Sequence, residues 1–232
     1  MSGAVQMLLP DSWWFVDVTS APTTTRSVRE LVERRVGRAD RHAPLRAELR
    51  SSLLRLAADA RGAGAVALAF SLMEWRDVPL PGSLAVYRVP RGHDEPLAEL
   101  AVLADGVGSD DLLDVVATPH GTALRRVRTV GADARVDHGP LDPGPTGLPA
   151  PGAGSSPEVD LLRVDYWLDV AGLDDLLLVC FSTPLVAAAD LFLDLFGAVV
   201  DSVAAPTDPT SLDPTDLDPR NLIPTDRTES SP

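Results

Sequence analysis

The chain has 232 residues, 45% of them hydrophobic, enough to build a sizeable core in one large domain or two small ones. Its net charge is −14 with a pI near 4.5, and no Lys/Arg-dense stretch is read that offsets this, so nucleic acid and anionic membrane surfaces are poor partners. The single cysteine, Cys180, excludes an internal disulfide framework and a cysteine-based zinc site, and it fits a reducing compartment.

The opening "MSGAVQMLLPDSWWFVDV" has no positive n-region and no long apolar h-region, and it does not read as a signal peptide. No stretch reaches about 18 consecutive apolar residues, so a cytoplasmic protein without membrane contact is expected. Every basic residue is Arg, and with abundant Ala, Leu, Val, Asp, Gly and Pro this describes the codon bias of a GC-rich bacterial genome.

Residues 12–18, "SWWFVDV", predict a first strand from their aromatic and β-branched content. "APTTT" reads as a break. Ser27 stands three before Glu30 at capping-box spacing, and Val28, Leu31, Val32 and Val36 share one helical face. Leu45, Leu49, Leu53, Leu56 and Ala60 continue the pattern as one long or broken amphipathic helix, which stops at "RGAG". "AVALAFSLMEW" (65–75) and "GSLAVYRV" (82–89) predict an antiparallel pair whose prolines lie in the connection. "EPLAELAVLAD" (95–105) predicts a short helix. "DLLDVVAT" and "TALRRVRTV" predict two strands around "PHG", and "VDLLRVDYWLDV" and "DDLLLVCFS" a hairpin across "AGLD". A helix over 184–203 follows, with Ser182 or Thr183 as N-cap and Pro184 in its first turn.

Two segments lack core-forming side chains. Residues 131–157 are dominated by Gly, Pro, Ala and Ser and read as a flexible insertion. Residues 205–232 repeat Pro-Thr-Asp and Leu-Asp-Pro units and read as a disordered acidic tail, because they cannot bury enough apolar area to offset their ordering entropy. The folded unit then spans 1–204. Strands joined by short turns imply an α+β fold with a single, largely antiparallel sheet between flanking helices.

That element order, with the ending "VDYWLDVAGLDDLLLVCFSTPLVAAADLFLDLFGAVVDSV", resembles the Mog1/PsbP-like group. The residues that carry the likeness are Val179, Phe181, Ser182, Thr183 and Pro184, then Leu195, Phe196, Val199 and Val200. The opening Leu8, Leu9, Pro10 and Trp13 is also similar to a set of uncharacterised actinobacterial proteins. The resemblance implies an antiparallel sheet sandwiched by helices and a role in binding or assisting proteins. It extends by analogy to an accessory of an actinobacterial secretion system.

Motifs for chemistry are absent. Cys180 sits at a strand-to-helix junction, where some enzymes present a nucleophile. Its flanks "LLLV" and "F" instead describe a strand buried on both faces, and Val186 stands where a phosphatase-type loop would carry Arg. His42, His93, His120 and His138 show no metal-ligand spacing. Asp174 and Asp175 suit a hairpin turn, and Asp110 and Asp111 a loop. "RGAGAV" joins a helix to a strand, the wrong order for a dinucleotide fingerprint. No catalytic, cofactor or metal residue is assigned, and a non-enzymatic role is expected. Interaction signals are clearer: Trp13, Trp75 and Trp167 on or beside strands are candidate partner anchors, and Leu222 and Ile223 stand out in the polar tail. The expected function is a cytoplasmic protein-binding module (adaptor, chaperone or regulatory partner). The alternative is a small-ligand binder or hydrolase whose site assembles in three dimensions.

Overall fold

The structure is a computed structural model. It describes residues 5–76, 78–91, 97–98, 111–119, 121–131 and 160–204. The expected insertion, apart from Gly131, and the tail fall outside the described residues, as do His93, His120 and His138.

Among the described residues nine strands form: β1 Trp13–Val16, β2 Ala65–Ser71, β3 Glu74–Trp75, β4 Val78–Pro79, β5 Ser83–Pro90, β6 Leu112–Thr118, β7 Gly121–Val130, β8 Leu161–Leu168 and β9 Asp175–Thr183. Seven build one antiparallel sheet in the order β1-β2-β5-β9-β8-β7-β6, and β3 pairs with β4 as a separate small hairpin. The expected pairs β2/β5, β6/β7 and β8/β9 all form. The path from β5 crosses to the far edge, and β6 to β9 then meander back, which seats β9 in the centre of the sheet.

Helices α1 (Ala21–Val36) and α2 (Ala43–Gly62) connect β1 to β2 and pack on each other. The helical stretch is therefore broken, with Gly37 at φ +78° closing α1. Its start lies six residues before Ser27. Ser20 is the N-cap: its hydroxyl accepts from the Thr23 N–H at 3.3 Å, while the Thr23 hydroxyl accepts from the Ser20 N–H at 3.2 Å. "APTTT" is thus a first turn rather than a break. Pro22 lacks only an N–H that has no acceptor there, and the Thr24 and Thr25 hydroxyls donate to carbonyls one turn back.

The two faces of the sheet hold two cores. On one, Val28, Leu31, Val32, Leu53, Leu56 and Ala60 of α1 and α2 cover Val16, Leu68, Phe70, Ala85 and Tyr87. On the other, helix α3 (Ala189–Asp201) lays Phe192, Phe196, Val199 and Val200 over Leu84, Val179, Phe181 and Tyr166. Phe181 stacks on Phe196 with centroids 4.2 Å apart, and Tyr166 meets Phe181 edge-on at 6.0 Å. The expected helix sandwich around an antiparallel sheet is present. The expected helix start is corrected. Ser182 and Thr183 remain in β9, where the Ser182 and Ser83 hydroxyls meet at 2.7 Å and Thr183 donates to the Pro81 carbonyl at 2.7 Å. A 3₁₀ turn at Val186–Ala188 intervenes, and α3 begins at Ala189 without a side-chain cap. Leu97 and Ala98, the described part of the expected 95–105 helix, are helical, and Leu97 packs against the α1/α2 core. Among the described residues no helix is long and apolar enough to cross a membrane.

Candidate interaction site

The connection between β2 and β5 carries a separate arm. Glu74 pairs with Pro79 and Trp75 with Val78 in a two-residue-tip hairpin, and all four side chains are exposed. Trp75 is 64% exposed and Val78 58%. Paired residues on adjacent strands project to the same side, so indole and isopropyl form one apolar spot. Arg76, at φ +50° in the left-handed region, places its guanidinium 5.4 Å from the Trp75 ring centroid. The arm is tied to the end of α1 by the Arg35–Glu74 ion pair at 2.8 Å.

The two helices that precede β2 are rich in arginine. Residues 21–62 hold ten of the chain's 20 basic residues against five carboxylates, a local excess of positive charge in a chain of net −14. Arg34 lies over the Trp14 ring at 5.2 Å, and Arg38, whose side chain is 85% exposed, pairs with Glu33 at 2.9 Å.

Trp13 and Trp167 are corrected as partner anchors. Trp13 is buried in the α3-side core, and Trp167 is buried on the opposite face under the Arg126 guanidinium at 5.3 Å. Adjacent aromatics do point to opposite faces, but both faces are covered. Leu222 and Ile223 lie outside the described residues. Trp75 is the one of the three tryptophan candidates that reaches solvent.

Cys180 is fully buried on central β9. Burial, aided by the charge of neighbouring Asp165, holds its thiol well above the ordinary range, although Arg163 opposes this. A buried, protonated thiol is core material and not a nucleophile.

The composition of its surroundings was missed in sequence. One row across the sheet runs Leu113, Arg126, Asp165, Cys180, Ala85, Leu68, Val16, and the next runs Arg128, Arg163, Ser182, Ser83, Phe70, Trp14. The half under α1 and α2 is apolar and the other half is ionic. The Asp165 carboxylate accepts from Arg126 at 2.7 Å and Arg163 at 3.0 Å, with Arg128 at 3.7 Å. Burial pushes this carboxyl up, but the fields of Arg163, Arg126 and Arg128 win and hold it at about 2. The available signal was the i, i+2 spacing of Arg163 and Asp165 in "LLRVDYWL", which puts both on one face of an otherwise apolar strand. Among the described residues no group of three His, Cys, Asp or Glu side chains is placed to hold a metal ion.

No family model, curated protein or solved structure matches the chain.

Proposed function

We propose that this protein is a non-catalytic protein-binding module, an adaptor, chaperone or regulatory partner, whose contact element is the β3–β4 arm. The exposed Trp75 with Val78 beside it carries the reading. A solvated indole on a short hairpin gains by entering a partner's apolar pocket, and such a Trp typically contributes about 2 kcal/mol or more to a complex. The Arg35–Glu74 tie limits the ordering entropy that binding must overcome. The strongest nucleophile in the sequence, Cys180, is enclosed and protonated, which further supports a binding role over covalent chemistry.

The test is affinity capture from the native host, comparing the full chain with a Trp75→Asp, Val78→Asp variant whose fold is checked by circular dichroism. A partner recovered by the first and lost by the second is expected. Equal recovery by both overturns the arm as the contact. Turnover by the purified protein, abolished by one substitution away from the arm, overturns the binding role itself.

A further inference from the structure

We infer that the β6 edge of the sheet is a self-association surface, on which a second copy of this chain adds its own β6 antiparallel and continues the sheet. Among the described residues β6 pairs only with β7, and its other side ends the seven-stranded order. An open edge strand presents a row of backbone donors and acceptors that another strand can pair with. The usual guards are short length, an outward charge or a cover, and β6 has none of them. It runs seven residues, with Leu112 57% exposed and Val115 67%. Its one charge, Asp114, is engaged by Arg125 of β7 in a fork at 2.9 and 2.6 Å. The opposite edge differs. There β1 is four residues long, its Trp13 and Val16 are buried, and the Arg34 guanidinium lies over its Trp14.

The strand is its own complement. A two-fold axis through Val115 sets Val115 opposite its copy, Leu113 opposite Ala117, Asp114 opposite Val116 and Leu112 opposite Thr118, so all seven residues find partners. Alternation puts Leu113, Val115 and Ala117 on the α1/α2 face, where every pair in that register is apolar. Moving the axis to Asp114 would set two carboxylates directly opposite each other, which is unfavourable. Pro119 follows Thr118 and ends the ladder, since it lacks an N–H. Charge does not oppose the meeting: residues 111–130 hold three arginines against two aspartates, in a chain of net −14. The strand is also formed before it binds. Leu113 packs on the α1/α2 core and Val116 on the α3 core, so pairing orders little new chain. One strand pair is a small interface, and a reversible dimer of micromolar affinity follows.

Sedimentation equilibrium of the full chain across the micromolar range tests this. The mass is expected to rise from 24.6 kDa toward twice that value. Val115→Lys changes an exposed position and sets two ammonium groups opposite each other. It should weaken the dimer about tenfold or more, with the fold unchanged by circular dichroism. A crosslink reads the register without relying on that loss. Cys180 is buried, so a Val115→Cys chain carries one accessible thiol. Opposed residues lie within disulfide reach, and mild oxidation with diamide should link this variant as a dimer. Leu112→Cys should stay unlinked, because in this register its copy lies about 20 Å away along the strand. A chain that stays monomeric throughout overturns the inference, and so does a dimer that survives Val115→Lys. Equal linking at 112 and 115 overturns the register and with it the pairing. A dimer lost in Trp75→Asp, Val78→Asp assigns self-association to the arm and overturns the edge. If the chain is monomeric and Val115→Lys instead loses a captured foreign protein, the edge takes that partner's extended segment and the second copy is overturned.

Discussion

The two faces of the sheet solve one packing problem in different ways. Under α3 the core is built on aromatic packing, with Phe181, Phe192, Phe196 and Tyr166 interlocked at centroid distances of 4.2 to 6.0 Å. On the opposite face α1 and α2 cover β1, β2 and β5, and the surface over β7 to β9 is a polar seam built on Asp165. An apolar contact tolerates small shifts of its partners, whereas three guanidiniums around one carboxylate fix distance and direction. The seam therefore specifies register in the meander that must fold back to place β9 beside β5.

That division predicts a ranking. Phe196→Ala should cost most, about 4 kcal/mol, since it removes the partner of both Phe181 and Phe192 and leaves a cavity under α3. Asp165→Asn should cost about 3 kcal/mol, because it keeps shape but strips buried guanidiniums of their counter-charge. Urea unfolding of each variant measures both. The comparison breaks if the Asn variant is as stable as wild type, which would leave the seam no electrostatic role. It sharpens if an Asp165→Leu, Arg126→Met, Arg163→Met triple variant recovers stability, since apolar replacement of a whole buried ion cluster is often neutral or better.

Acid separates the faces without mutation. The Asp165 carboxyl titrates at about 2 in the folded chain, below its ordinary value of 3.8. A depressed folded value means the contribution is complete above pH 4 and is lost as pH falls from about 4 toward 2. The shift corresponds to about 2 kcal/mol. Unfolding free energy measured across that window should fall more steeply for wild type than for Asp165→Asn. The Phe196→Ala chain should keep the wild-type slope, because its lost contact carries no charge.

The apolar face was legible in the sequence and the polar seam was not. Alternation in "LLRVDYWL" and the run "LLLVCF" fix which strands are buried on both sides, and the closing helix follows from its 3.6-residue spacing. Local chemistry misled at the helix starts: Ser27 and Glu30 have capping-box spacing, yet Ser20 with Thr23 forms the box. Ser182 and Thr183 look like caps, yet strand pairing with β5 claims them. The arm could be suspected because Trp75 sits beside a Pro-bearing connection. Its exposure, and the burial of Trp13 and Trp167, depend on which helices cover which face, and that is a long-range outcome. The Asp165 cluster draws on β7 and β8, whose register across 126 and 165 no local pattern encodes.

The smallest expected effect lies one residue from one of the largest. Arg125 and Arg126 are neighbours on β7 and point to opposite faces. Arg126 is buried against Asp165, whereas Arg125 forms a two-bond fork with Asp114 at 2.9 and 2.6 Å near the β6 edge. The Arg125 and Asp114 side chains are 23% and 35% exposed, so water already solvates much of their charge. Their hydrogen bond raises the Arg125 pKa against the effect of burial, but solvent screening keeps the pair's net worth low. A double-mutant cycle with Arg125→Met and Asp114→Asn should give a coupling of about 0.5 kcal/mol, falling further in high salt. The same cycle on Arg126→Met and Asp165→Asn should give several times that value and little salt dependence, because the carboxylate is reached by no solvent. Equal couplings would mean that burial does not distinguish the two pairs, and the polar seam would then be no more than a surface ion pair with a covering.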